Sequence, residues 1–259
     1  MKTAAIALTA TLAIWPTETL LAQGAQRDPA AILSATREAL GGDKKLTSVK
    51  TIVATGRTQQ IRGNNLVPIE FEISIELPDK YLRKNEIPAQ ESGPSTEGFN
   101  GETLIQTKTP TVKQDFARLM LGMFASSFAG YPLAFTYVGQ AEAPQGKADV
   151  IEAKAARGAP DVTMRIFIAQ DTHLPIMVSW QAPAPPARGG PPPAAGAPTA
   201  PPAPPQETRL YFADYRDVDG MKWPFRLRRA LGADTVEETT FDRFRINSRI
   251  DAKKFQQQG

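Results

Sequence analysis

Few groups in this chain are of a type that could do chemistry. His173 is the single histidine and cysteine is absent, which removes thiol catalysis, disulfides and thiolate metal sites and leaves no second imidazole to share a metal. Any Ser/His/Asp arrangement would have to use His173, and it stands in the turn-forming run Asp171-Thr172-His173-Leu174-Pro175. It reads as a surface turn residue. There is no Gly-x-Ser-x-Gly elbow, phosphate-cradling glycine loop or His-Glu-x-x-His helix. Asp214, Asp217 and Asp219 imitate a calcium loop only superficially: with Asp219-Gly220 at its fifth and sixth positions, the loop would begin at Tyr215 and end at Arg226, a ring and a cation where carboxylates must coordinate. Turn chemistry accounts for them better. Glu70, Glu72 and Glu76 share one strand face, where they repel each other; paired glycosidase acids would sit in a cleft. The pattern predicts no enzyme and calls for no cofactor and no metal.

The elements that would position these groups are mostly strands. In Pro68 to Arg83, Phe71, Ile73, Ile75 and Leu77 alternate with Glu72, Ser74 and Glu76, the two-residue period of a strand with one apolar and one acidic face. Pro78-Asp79 stops that ladder and Tyr81-Leu82-Arg83 starts a return strand. Similar runs flank Asp171 to Pro175 and Asp219-Gly220, the latter a strong tight-hairpin signal. An Asn100-Gly101 turn joins two short strands. The expected fold class is mainly β (α+β): a single curved antiparallel sheet built of hairpins.

The residues Pro78-Asp79-x-Tyr81-x-Arg83, Asn100-Gly101-Glu102-Thr103-Leu104, the Leu174-Pro175 hairpin and Asp251-Ala252-Lys253-Lys254-Phe255 together resemble the bacterial lipoprotein-sorting carriers, the LolA/LolB-like group, over Ile32 to Phe255. That resemblance implies a half-open β-barrel whose apolar hollow is lidded by helices and holds acyl chains. One departure stands out. The carriers have a basic lid-latching residue directly before the strand-ending proline, and Leu77 occupies that position here, so a lipid or other amphiphile is as admissible a cargo as a lipoprotein.

Two helices are expected. Asp28-Pro29 suits a helix entrance, with Ile32, Leu33, Thr36 and Leu40 on one stripe and Gly41-Gly42 as the stop. Over Thr109 to Gly130 the period changes: Val112, Phe116, Leu119, Met120, Met123, Phe124 and Phe128 recur at three- and four-residue steps, a long amphipathic helix whose apolar face is rich in adaptable thioethers. It reads as a core helix or as a lid on the concave side. On the lid reading Phe71, Ile73 and Ile75 line the floor of an acyl-binding site, Leu77 its rim, and Met120, Met123 and Phe124 its cover.

The remaining stretches bear on organisation and partners. Residues 1–25 read as a secretory signal peptide, too short in apolar length to span a bilayer as a helix, which predicts a periplasmic protein. One half-barrel domain, 26–255, is interrupted by a Pro/Ala/Gly-rich insertion at 182–205, exposed and without ladder hydrogen bonds, and is followed by a tail, 256–259. With 30 Lys+Arg against 27 Asp+Glu, the net charge of +3 supplies no general field for polyanions, so no nucleic-acid partner is expected. Arg226 and Arg228, then Arg243 and Arg245, make arginine rows on the convex side, read as a solvated face; attraction to an envelope membrane or an acidic protein is the alternative. The expected function is a monomeric periplasmic carrier binding the acyl chain of a lipid or lipoprotein. The alternative is an envelope sensor or scaffold that uses the same fold to bind a protein partner.

Overall fold

The computed structural model describes residues 27–88, 90, 93–106, 111–127, 132–143, 146–155, 162–183 and 204–256. The expected signal peptide, nearly all of the proline-rich insertion, Phe128 and residues 257–259 lie outside the described residues. None of the described helices is long and apolar enough to cross a membrane.

The chain enters through α1 (Pro29–Ala39), where the Asp28 side chain accepts from the Ala30 N–H and Pro29 opens the first turn. Gly41 and Gly42, both at positive φ, end it. A second short helix follows, α2 (Asp43–Ser48), which the sequence reading left unassigned. Its signal is weak because only Leu46 is buried.

Strands β1 (Thr51–Arg62), β2 (Asn65–Glu76), β3 (Lys80–Glu86), β4 (Ser95–Asn100) and β5 (Thr103–Ile105) run as a meander. Helix α3 (Val112–Phe124) crosses over, and β6 (Leu133–Ala143), β7 (Gly146–Ala155), β8 (Thr163–Ala169), β9 (Pro175–Ala182), β10 (Gln206–Val218), β11 (Met221–Leu231) and β12 (Asp234–Ile246) form a second meander. β12 pairs with β1, so the two meanders make one 12-stranded antiparallel sheet in the order β5-β4-β3-β2-β1-β12-β11-β10-β9-β8-β7-β6. β5 and β6 remain as its free edges, and the barrel is unclosed.

The sheet curls around α3. This helix touches β4 on one flank and β8 and β9 on the other, although β4 and β9 stand seven inter-strand steps apart, about 34 Å in a flat sheet. A helix about 10–12 Å wide reaches both only if the sheet bends over it. Part of the bend lies at Gly56, where the β1–β12 register shifts. A Cβ there would meet the Thr240 carbonyl oxygen at 2.3 Å, so only glycine lets the strands approach this closely.

Turn chemistry fixes the hairpins. Asp219 and Gly220 both take positive φ (55° and 73°) between β10 and β11, the demand of a tight two-residue turn, and the Asp217 carboxylate accepts from the Gly220 N–H. The β4–β5 turn is centred on Gly101-Glu102 and not on Asn100-Gly101: Asn100 is still in the ladder, paired with Thr103. Two carboxylates of the acidic strand face are paired, Glu76 with Lys80 and Glu72 with Lys254. Lys254 belongs to a 3-10 turn, Ala252–Phe255, that docks against β3 and buries Phe255.

Candidate functional site

Helix α3 organises the concave side. Its Val112, Phe116, Ala117, Arg118 and every residue from Met120 to Phe124 are buried, so it is enclosed on nearly all sides instead of presenting one wet face. It is also shorter than the sequence predicts, ending at Phe124 because Ala125 turns left-handed (φ 47°). Phe116 packs into an aromatic cluster with Tyr81 and Phe99, at 5.6 and 5.2 Å between centroids, and Phe124 meets the Trp223 ring edge-on at 5.6 Å. Gly122 lets the helix lie directly on Phe212.

All seven sequence-predicted site residues meet in one core. Phe71, Ile73 and Ile75 lie on the inner row of β2, Met120, Met123 and Phe124 on α3, and all six are buried; Leu77 is partly buried against them. These side chains belong to the core themselves, and space is left towards the two ends of α3. A cleft of about 610 Å³ opens at the C-terminal end of α3, and another of about 300 Å³ at its N-terminal end. Leu77 and Phe124 line the larger and Ile73 the smaller; Ile75, Met120 and Met123 line neither.

The larger cleft is mainly apolar. Leu33 of α1, Leu46 of α2, Val49, Leu77, Phe124 and Phe135 of β6 form its walls, with Arg37, Asp43 and Lys50 also contributing. Arg37 pairs with Asp43 and donates to the Ala125 carbonyl at 3.3 Å, joining α1 and α2 to the C-terminal end of α3. The entry to α1 is tied down by a second device: the buried Asp149 carboxylate accepts from Arg27 Nη1 at 2.6 Å, Gln170 Nε2 at 2.8 Å and the Tyr137 hydroxyl at 3.3 Å. Burial and this carboxylate push the Tyr137 phenol up, while the hydrogen bond to Asp149 raises the Arg27 guanidinium.

The smaller cleft is polar above an apolar floor. Arg83, Asn85, Glu97, Asp115, Arg229 and Glu237 surround it, over Ile73, Leu227 and Phe241. Beside it, buried Arg118 stacks over Trp180 at 4.5 Å and donates to Asp115 at 2.8 Å; burial pulls its guanidinium down. Arg229 and Glu97 are residues that sequence reasoning missed. The signal for Arg229 was present: it continues the inward row Phe225, Leu227, Arg229 along β11, as its pairing with Glu237 and that of Leu227 with Thr239 confirm.

The convex side carries the arginine rows. Arg226, Arg228, Arg243 and Arg245 are exposed there, with Arg228 lying 4.3 Å over the Tyr211 ring, beside a cleft of about 580 Å³ that includes Phe167 and Met177. His173 is an exposed turn residue at φ 55° between β8 and β9. Asp214 is chelated by Arg216, whose hydrogen bond holds its carboxyl below the usual range. Among the described residues no group of three or more His, Asp or Glu could hold a metal ion.

An unclosed antiparallel sheet bent over one crossing helix, with α1 and α2 beside its open end, is an arrangement seen before. A LolA superfamily protein from Nitrosomonas europaea matches 89% of this chain and 99% of its own length, with a TM-score of 0.54 and 11% identity. This chain has the LolA-type fold. A domain described as an outer membrane lipoprotein-sorting protein, from Vibrio parahaemolyticus, shares the LolA-type fold across 88% of this chain and 97% of its own, at a TM-score of 0.50 and 9% identity. At such identities the likeness is one of architecture, and function has to be argued from the clefts. No protein-family model matches the sequence, and no curated protein does.

Proposed function

We propose that this protein is a non-catalytic periplasmic carrier that holds the acyl chain of a lipid or lipoprotein by apolar burial. The observation that carries this reading is the cleft of about 610 Å³ walled by Leu33, Leu46, Val49, Leu77, Phe124 and Phe135. Its volume falls within the range of small-molecule sites, about 300–1,000 Å³, and its walls come from separate elements that can part. Burying eight methylenes is worth about 6 kcal/mol, enough for binding without a catalytic group or cofactor. Arg37, Asp43 and Lys50 border this cleft.

On this reading residues 1–25 are the cleaved export signal, 26–255 the carrier domain, and 182–205 an insertion between the paired strands β9 and β10. Loading moves α1 and α2 away from Leu77, while α3 stays seated, since its packing residues are buried all round. Phe71, Ile73, Ile75, Met120 and Met123 support the floor, and Leu77 and Phe124 touch the chain.

The test is organic extraction and native mass spectrometry of the exported protein. An amphiphile should accompany the wild type and be lost from Leu77→Asp, a change at a partly exposed position that leaves the fold intact. Wild type without amphiphile, or equal loading of the variant, contradicts the proposal. One observation favours a second reading, an envelope sensor or scaffold that binds a protein partner: Met120 and Met123 are buried in the chain's own core. An empty wild type would support it.

A further inference from the structure

We infer that the smaller cleft is a headgroup site for a zwitterionic amphiphile, with an anionic phosphate seated on Arg229 and a primary ammonium on Glu97; the inference rests on the carrier reading. The ion balance of this cleft leads there. Arg83 is engaged by neutral partners, donating to Asn85 Oδ1 at 2.8 Å and Thr58 Oγ1 at 2.9 Å. Asp115 is taken by Arg118 at 2.8 Å and Thr111 at 3.1 Å, and Glu237 accepts from Gln60 at 3.3 Å. Among the described residues this leaves Arg229 on β11 and Glu97 on β4 without an ion pair or a side-chain hydrogen bond. Their cross-strand neighbours, Glu237 and Arg83, are committed elsewhere.

Arg229 carries a further mark. Its Nε is buried with no acceptor, as is the Nε of Arg118, and both guanidiniums lie over Trp180, at 5.9 and 4.5 Å. Both guanidiniums thus hold an N–H donor without an acceptor, and on Arg229, which lines the cleft, a phosphate would meet the planar donor geometry arginine favours. On the β4 side Glu97 is the acceptor left without a donor. Both lone charges act on the phenol of Tyr81, which lines the same cleft, Glu97 raising and Arg229 lowering it, while burial is the main cause that pushes it up to about 12. A purely anionic headgroup would satisfy Arg229 and meet repulsion from Glu97; one bearing both charges satisfies the two together. At about 300 Å³ the cleft has room for a headgroup, and Ile73, Leu227 and Phe241 take the hydrocarbon next to it.

The experiment titrates the full exported chain calorimetrically with two lysolipids of the same lauroyl chain, lysophosphatidylethanolamine and lysophosphatidylglycerol, and with chain-free glycerophosphoethanolamine. The wild type should prefer the ethanolamine lysolipid by about tenfold, the worth of one charge-assisted hydrogen bond. Glu97→Gln should abolish that preference by weakening the ethanolamine lysolipid alone, and Arg229→Gln should weaken both lysolipids. If Arg229→Gln fails to melt cooperatively, the Glu97→Gln arm decides. Equal binding of the two lysolipids, unchanged in the variants, overturns the headgroup site and leaves acyl carriage standing. Glycerophosphoethanolamine binding as tightly as its lysolipid overturns the amphiphile assignment in favour of a free headgroup compound. No binding of either lysolipid removes the carrier reading and this site with it.

Discussion

The ring of Phe212 occupies the space that a side chain at position 122 would need: a Cβ built on Gly122 would lie 2.0 Å from Cζ of Phe212 and within 2.6 Å of both Cε atoms. Helix α3 is therefore keyed to β10 at one point, and this explains a glycine in its last turn despite a cost of up to about 1 kcal/mol. Gly122→Ala should destabilise the fold by about 1–3 kcal/mol, the cost of overpacking, despite the gain in helix propensity. Phe212→Leu should restore part of the loss. Denaturant unfolding of the two single variants and the double variant checks this, and additive effects would refute the contact.

Asp149 anchors the entry to α1 from a buried position on β7. Asp149→Ala should cost about 1–3 kcal/mol, because the partly buried Gln170 amide and Tyr137 hydroxyl lose their shared acceptor along with Arg27. Arg27→Ala should cost clearly less, since Arg27 is half-exposed and water replaces its partner. Thermal melts of both variants rank the two. Equal losses would mean that the ion pair, and not the burial of Asp149, carries the anchor.

Phe255 is buried outside the concave core cluster. Phe255→Ala should therefore lower stability by about 3 kcal/mol while leaving amphiphile binding unchanged below the melting transition. Unfolding curves read beside lipid titrations separate the two effects; loss of binding by the folded variant would place Phe255 in the ligand site.

Alkaline pH should weaken the fold before any ligand is considered. Burial raises the Tyr81 phenol from its ordinary 10.0 to about 12, and it also raises that of Tyr215, which donates to the Pro175 carbonyl at 2.7 Å. The folded state thus holds protons that the unfolded chain releases, so this stability is complete below pH 10 and is lost as pH rises through about 12. Tyr81→Phe should flatten the fall in unfolding free energy over that window. An unaltered slope would contradict the assignment.

Much of the architecture was legible because a sheet with one buried face writes itself as alternation. Phe71, Ile73 and Ile75 needed nothing else, and Asp219-Gly220 announced its turn through the positive φ it must adopt. What escaped was decided by neighbours distant in sequence. Asp43 to Ser48 forms a helix with a single buried residue, too little for a periodic signal. The 109–130 pattern ran on past the point where Ala125 turns left-handed. The burial of Met120 and Met123 was illegible in principle, since they look the same in sequence whether they face a guest or the chain's own core. Arg229 was legible and overlooked: an inward row that reads Phe, Leu, Arg signals a charge brought inside.

The measurement that bears most directly on the carrier reading is photo-crosslinking of the exported protein with a phospholipid whose acyl chain carries a terminal diazirine, mapped by peptide mass spectrometry. Labelling should fall on Leu33, Leu46, Leu77, Phe124 and Phe135, the walls of the larger cleft. Labelling concentrated on Phe167, Met177 and Tyr211 of the convex side, or none above that of an unrelated protein, would contradict it.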